Sequence, residues 1–131
     1  MQALSPVMIL AVALGGSAGA VVRYVVMSVI GHWYHGGLPL ATLAVNLVGS
    51  FILGALIETM ALMWSPSPAL RAFLVVGTLG AFTTFSTFSM DMFFLMERGE
   101  FMPLAGYVLS SVIFGFLAFW GGMAALRLLI S

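Results

Sequence analysis

Four long apolar runs dominate the chain, at about residues 6–30, 40–63, 70–96 and 102–130. Each meets the roughly 20 residues that a helix needs to cross the hydrocarbon of a bilayer. The breaks between them are short: GHWYHGGLP, the turn WSPSP and the charged loop ERGE. That pattern leaves no room for a soluble domain, a linker or a low-complexity tail, and no internal repeat is evident. With 63% hydrophobic and 6% charged residues and a mean hydropathy of +1.20 over 131 positions, the chain also lacks the side chains for a wet surface. A barrel would need alternation, and these runs are continuously apolar. The expected fold is an all-α integral membrane protein, a single transmembrane domain over residues 1–131 with four spans.

The flanks agree. Trp33, Tyr34 and Trp64 fall at span ends, where amphipathic rings favour the interface. Residues 1–7 carry no Lys or Arg, so the first run reads as a retained span and not as a cleaved signal. Absence of cysteine rules out a disulfide framework or a thiolate metal site.

Charge bears on orientation. The basic residues are Arg23, Arg71, Arg98 and Arg127, with no lysine. With four spans, Arg71 and Arg127 lie towards one side of the membrane and Arg23 and Arg98 towards the other. The positive-inside rule then names no preferred orientation. Two readings fit: both orientations insert and pair head-to-tail, or one weak preference is set by other means. The charges leave both open. Four short helices enclose little space, which favours a pathway between subunits. An inverted pair would resemble the inverted repeats that many transporters carry within one chain. Gly15 and Gly19, and Ser50 and Gly54, have the spacing that lets helices approach closely.

Polar groups inside the spans need protein or water around them. Asn46, Ser50 and Gly54 share one face of the second span, and Tyr107, Ser111 and Gly115 one face of the fourth. The third span carries TTFSTFS, Thr83 to Ser89, five hydroxyls interleaved with two rings. Gly77, Gly80 and the Thr83–Thr84 pair are poor continuous helix. Gly80 is expected to end one half-helix and Thr83 or Thr84 to cap the next. A break at that depth frees backbone carbonyls for a cation and helix N-termini for an anion. Phe82, Phe85 and Phe88 fall close together along this segment, and a phenyl ring has a positive edge. Neutral donors and ring edges with no adjacent acid suit a small anion better than a cation.

The residues GTLGAFTTFSTFS (77–89), TLAVN (42–46) and GAVVRY (19–24) closely resemble the Fluc family of small bacterial fluoride channels, also called CrcB proteins. The resemblance covers the whole chain and the order of its spans. It implies a passive fluoride-selective channel in the bacterial inner membrane, built as a dual-topology antiparallel homodimer with two pores. It also implies a structural sodium ion on the dimer axis. Such a channel lowers cytoplasmic fluoride that enters acid-stressed cells as the neutral acid. By matching motif, Asn46 resembles the pore asparagine, and Phe85 and Phe88 the pore phenylalanines. Ser86 and Thr87 resemble polar pore-region residues, and Tyr107 and Ser111 the hydroxyl track. Gly80 and Thr83 match the carbonyl ligands of sodium, and Arg23 the arginine at the end of the first helix. Asp91 stands where a glutamate is expected, and Gly115 where relatives carry a further hydroxyl. The exit of the track is therefore expected to differ.

Two other classes fit less well. A small dual-topology multidrug or cation transporter has four spans but needs an embedded carboxylate, typically in the first, and here that span contains no acid. Glu58, Asp91, Glu97 and Glu100 read as snorkelling groups near span ends. An enzyme would need more than His32 and His35, which read as solvated loop residues. Implied partners are a second copy, fluoride and membrane lipid, with no nucleic acid.

Overall fold

A computed structural model describes residues 4–131; positions 1–3 of the N-terminal reading lie outside the described residues. The elements are α1 (Pro6–Trp33), α2 (Leu40–Leu62), α3 (Pro68–Arg71), a wide-turn π-helical segment (Ala72–Leu79), the single turn α4 (Gly80–Phe82), α5 (Phe85–Glu97) and α6 (Phe101–Ile130). By length and composition, four stretches can cross a membrane: Pro6–Trp33, Leu40–Leu62, Pro68–Glu97 and Phe101–Ile130. Large apolar side chains such as Val21, Val112, Phe116 and Leu128 lie exposed along the outside. In a bilayer, hydrocarbon covers them.

Local chemistry sets the ends. Ser5 caps α1, its hydroxyl accepting from the Met8 N–H at 3.3 Å, and Pro6 takes the first helical position. Ser67 and Pro68 repeat the arrangement before α3, with the Leu70 N–H donating to Ser67 at 3.2 Å. After α5 the chain turns through Gly99 at φ 72°, which a glycine adopts without steric penalty. The Gly99 N–H reaches the Met96 carbonyl (3.0 Å) and the Glu100 N–H the Leu95 carbonyl (2.9 Å), closing the helix end. Arg98 ties this loop to the first one, donating to Glu100 (2.8 Å) and to the Gly37 carbonyl (3.1 Å). Hydroxyls of Ser17 and Thr59 bond back to Ala13 and Ala55, so each is satisfied within its own helix.

Two differences from the sequence reading are local. The first helix runs on to Trp33, so His32 lies in its last turn against the Trp33 ring, while His35 stays in the loop. Gly80 does not end a helix: at φ −62°, ψ −35° it continues the helical path, and the path ends after Phe82.

Packing follows the glycines. Helices α2 and α6 touch backbone to backbone, Gly54 lying on the Phe119 carbonyl and Gly122 on the Phe51 carbonyl. Helix α1 lies on the π segment through Gly15, Gly19 and Gly77. Close approach of this kind replaces the hydrophobic drive that lipid removes. A small cluster of Phe88, Leu95 and Tyr107 joins α5 to α6, flanked by Leu43, Met92, Leu104 and Val108.

Glu58 corrects the snorkelling reading. Its side chain is 3% exposed and receives both Nε (2.9 Å) and Nη2 (2.6 Å) of Arg127 from the end of α6. The acid stays inside because its counter-charge comes to it.

Candidate functional site

The site forms where the third span leaves helical geometry. Thr83 (φ −82°, ψ 159°) and Thr84 (φ −149°, ψ 115°) are extended between α4 and α5. At membrane depth their backbone groups need partners. Asn46 of α2 supplies two of them: its Oδ1 accepts the Thr84 N–H at 2.7 Å and its Nδ2 donates to the Thr84 carbonyl at 3.1 Å. One side chain thus replaces both bonds of a peptide.

Hydroxyls complete the local pattern. The Thr83 hydroxyl donates back to the Leu79 carbonyl (3.2 Å). Thr84 caps α5, its hydroxyl accepting from the Thr87 N–H (3.3 Å) and donating to the Thr87 hydroxyl (3.1 Å). The Ser89 hydroxyl returns to the Phe85 carbonyl (3.2 Å). In a continuous helix the Thr84 N–H would go to the Gly80 carbonyl and the Thr87 N–H to the Thr83 carbonyl. Asn46 takes the first and the Thr84 hydroxyl the second. The carbonyls of Gly80 and Thr83 are released from their helical donors.

A cavity of about 270 Å³ opens beside this pair, lined by Asn46, Gly49, Ser50, Leu53, Val75, Leu79, Gly80, Thr83, Thr84 and Phe85. No ionisable side chain lines it. Asn46 has two amide hydrogens, and its bond to Thr84 leaves one of them free.

From the cavity a series of aromatic rings leads to α6. Phe85 and Phe88 have ring centroids 5.7 Å apart, and Phe88 meets Tyr107 edge-on at 5.1 Å. The Tyr107 hydroxyl donates to Asp91 at 3.0 Å. Phe88 and Tyr107 are buried, whereas Phe85 is 76% exposed. Ser86 is exposed, and the buried Ser111 hydroxyl has no partner.

Asn46, Thr87, Phe85, Phe88, Tyr107 and Asp91 therefore form one connected set with Gly80 and Thr83 at its edge. Arg23 does not join it: it borders a separate cavity of about 380 Å³ with Ala20, Tyr24, Met27 and Ser28, its Nε buried and unpartnered. Gly115 has open space where a side chain would stand. Two features had no sequence signal of their own, the Asn46–Thr84 clamp and the wide winding of Ala72–Leu79, because each depends on a distant helix.

A family model described as "CrcB-like protein, Camphor Resistance (CrcB)" matches residues 10–123. The chain belongs to the CrcB-like family. Its CrcB-like relatives include a protein of Rhodospirillum centenum named fluoride-specific ion channel FluC, 48% identical over 120 residues, 92% of this chain and 95% of that protein. Another of that name, from Hahella chejuensis, is 41% identical over 119 residues, covering 91% of this chain and 94% of the other. A third, from Vibrio cholerae, is 45% identical over 112 residues, 85% and 88% of the two chains. The connected set lies wholly within the CrcB-like match.

Proposed function

We propose that this protein is a passive fluoride channel of the bacterial inner membrane, working as an antiparallel homodimer with one pathway along each Asn46–Phe85–Phe88–Tyr107 series. Family membership and relatives named fluoride-specific ion channels give the ion. The observation that carries the pathway is the free N–H of Asn46 in a cavity walled by Phe85 and lined by no ionisable group.

Fluoride holds its water tightly, so a conduit must replace that water without trapping the ion. A neutral amide N–H and ring edges offer partial positive charge, enough to compensate and too little to arrest. On the face of α6 that carries Tyr107, the unpartnered Ser111 hydroxyl is the next free donor. Tyr107 gives its hydrogen to Asp91, so that carboxylate is occupied at the end of the series.

One chain supplies half a conduit. Phe85 stands largely uncovered beside an open cavity, a position that a second copy completes. Arginines balanced across the membrane allow both orientations, and antiparallel pairing then yields two equivalent pathways. The extended Thr83–Thr84 pair serves as a break in the third span, Thr84 held by Asn46 and the Thr83 carbonyl left for the partner's side.

Sodium fits the same place. The released carbonyls of Gly80 and Thr83 border a cavity with no carboxylate, and doubling them across a two-fold axis gives four oxygens. Hard neutral oxygen suits a monovalent ion, which would hold the two breaks together. A multidrug exchanger lacks support: α1 contains no acid, and the deeply buried Glu58 is neutralised by Arg127.

The test is ion efflux from liposomes containing the purified protein. Fluoride should leave rapidly and chloride should not; comparable chloride efflux would defeat the selective reading.

A further inference from the structure

Gly15 and Gly19 stand one turn apart on α1, four residues and about 6 Å along the axis. A Cβ on either would overlap a carbonyl oxygen of the third span: that of Phe73 for Gly15 and that of Thr78 for Gly19. Those carbonyls are five residues apart. Two parallel α-helices would meet at equal steps, so the four-against-five match requires a wider winding on one side. The Ala72–Leu79 segment supplies it. The Thr78 hydroxyl reaches the Phe73 carbonyl five residues back at 2.8 Å, and the Gly80 N–H is shared between the Val75 carbonyl, also five back, and the Gly77 carbonyl. Gly77 closes the seam from the other side, where a Cβ would sit 2.9 Å from the Gly15 Cα and the Val12 carbonyl.

Such winding is rare and is maintained only by its surroundings. Its consequence falls downstream. Each residue of an α-helix turns the chain by about 100°. Rewinding Ala72–Leu79 as ordinary α-helix with the same residues would turn everything after Leu79 by about that angle. Thr84 would leave Asn46, and Phe88 would leave Tyr107.

We propose that Ala72–Leu79 is a one-residue phase spacer: Gly15, Gly19, Gly77 and Thr78 hold the wide turn, and the wide turn aims the Thr83–Thr84 pair at Asn46. These four are positioning residues that touch no ion. The functional half of the inference rests on the pathway past Asn46, Phe85 and Phe88 proposed above.

A spacer makes deletion and insertion unequal, whereas in an ordinary helix both shift the phase. Removing Val76, which is 59% exposed, brings the two carbonyls to four residues apart and keeps the phase. Adding an alanine after Val76 breaks it. Phase is read in the full chain by joining Phe88→Cys to Tyr107→Cys with a short bifunctional thiol reagent, since the chain has no cysteine of its own. Fluoride efflux is measured in parallel without the cysteine pair. The deletion should keep both cross-link and efflux, and the insertion should lose both. Thr78→Val should lose both and regain them when Val76 is also removed, while Thr78→Ser keeps them. Equal loss of cross-linking in the deletion and insertion variants, or a Thr78→Val defect that the deletion does not repair, overturns the spacer. An insertion that loses the cross-link yet keeps fluoride efflux supports the spacer and overturns the pathway instead.

Discussion

Asn46→Leu removes the clamp on Thr84 while keeping the side-chain volume. It strands two backbone groups, the N–H now bonded at 2.7 Å and the carbonyl bonded at 3.1 Å. Each unsatisfied buried group costs about 1–3 kcal/mol, so the pair would cost roughly 2–6 kcal/mol in a dry site. The adjoining cavity of about 270 Å³ has room for water, which brings the figure towards its lower end. About 2 kcal/mol corresponds to roughly thirtyfold easier local opening. Amide hydrogen exchange over residues 83–88 reads this directly and should accelerate by that order. Asn46→Asp keeps the acceptor for the Thr84 N–H, sets oxygen against the Thr84 carbonyl and loses the free donor. Its exchange should rise less than in the leucine variant while its fluoride efflux falls as far. Unchanged exchange in Asn46→Leu would refute the clamp, and full efflux in Asn46→Asp would refute the donor.

Further outcomes follow from the same contacts. Phe85→Ile should lower fluoride efflux with little change in the stability of the single chain, because that ring is 76% exposed. Phe88→Ile should lower efflux and also remove about 1 kcal/mol of stability by losing its edge contact with Tyr107. The Glu58–Arg127 pair should respond unequally, since the Arg127 side chain is 67% exposed and that of Glu58 3%. Arg127→Leu strands a buried carboxylate and should cost about 3–5 kcal/mol, while Glu58→Leu frees an arginine that reaches water and should cost clearly less. Thermal unfolding in detergent separates the two, and equal losses would contradict the burial argument. Exchanging sodium for a large organic cation during purification should weaken dimerisation and fluoride efflux together, because an ion held by both chains stabilises only the assembled state. Indifference of both to the cation would leave the released carbonyls without an ionic role.

What the sequence disclosed was periodicity and composition. Continuous apolar runs are a one-dimensional signal, and the four spanning helices follow from them. A helix cap at Thr83 or Thr84 was likewise legible, because capping is local chemistry, and the structure places it at Thr84. The failures share a cause. Glycine at position 80 invited a helix end, yet the helical path stops only where Asn46, distant in sequence, captures the Thr84 N–H. Glu58 looked like a snorkelling acid because its partner, Arg127, stands 69 residues away in sequence, at the end of α6. The wide turn could not be read from AFLVVGTL at all, since the spacing of glycines on α1 imposes it. His32 was misplaced by a softer error, the helix running one turn beyond the apolar stretch. Contacts between helices decide all of these, and they are the part of the fold that hydropathy does not encode.

Antiparallel pairing is tested most directly by forcing orientation. Two lysines added after Ser131 should bias insertion one way, and two placed in the first loop should bias it the other. Each variant is expressed alone and then with its opposite, and fluoride efflux is measured from liposomes carrying the purified protein. Pairing of opposed copies predicts no efflux from either variant alone and recovery when both are present. Full efflux from one singly oriented variant would contradict it.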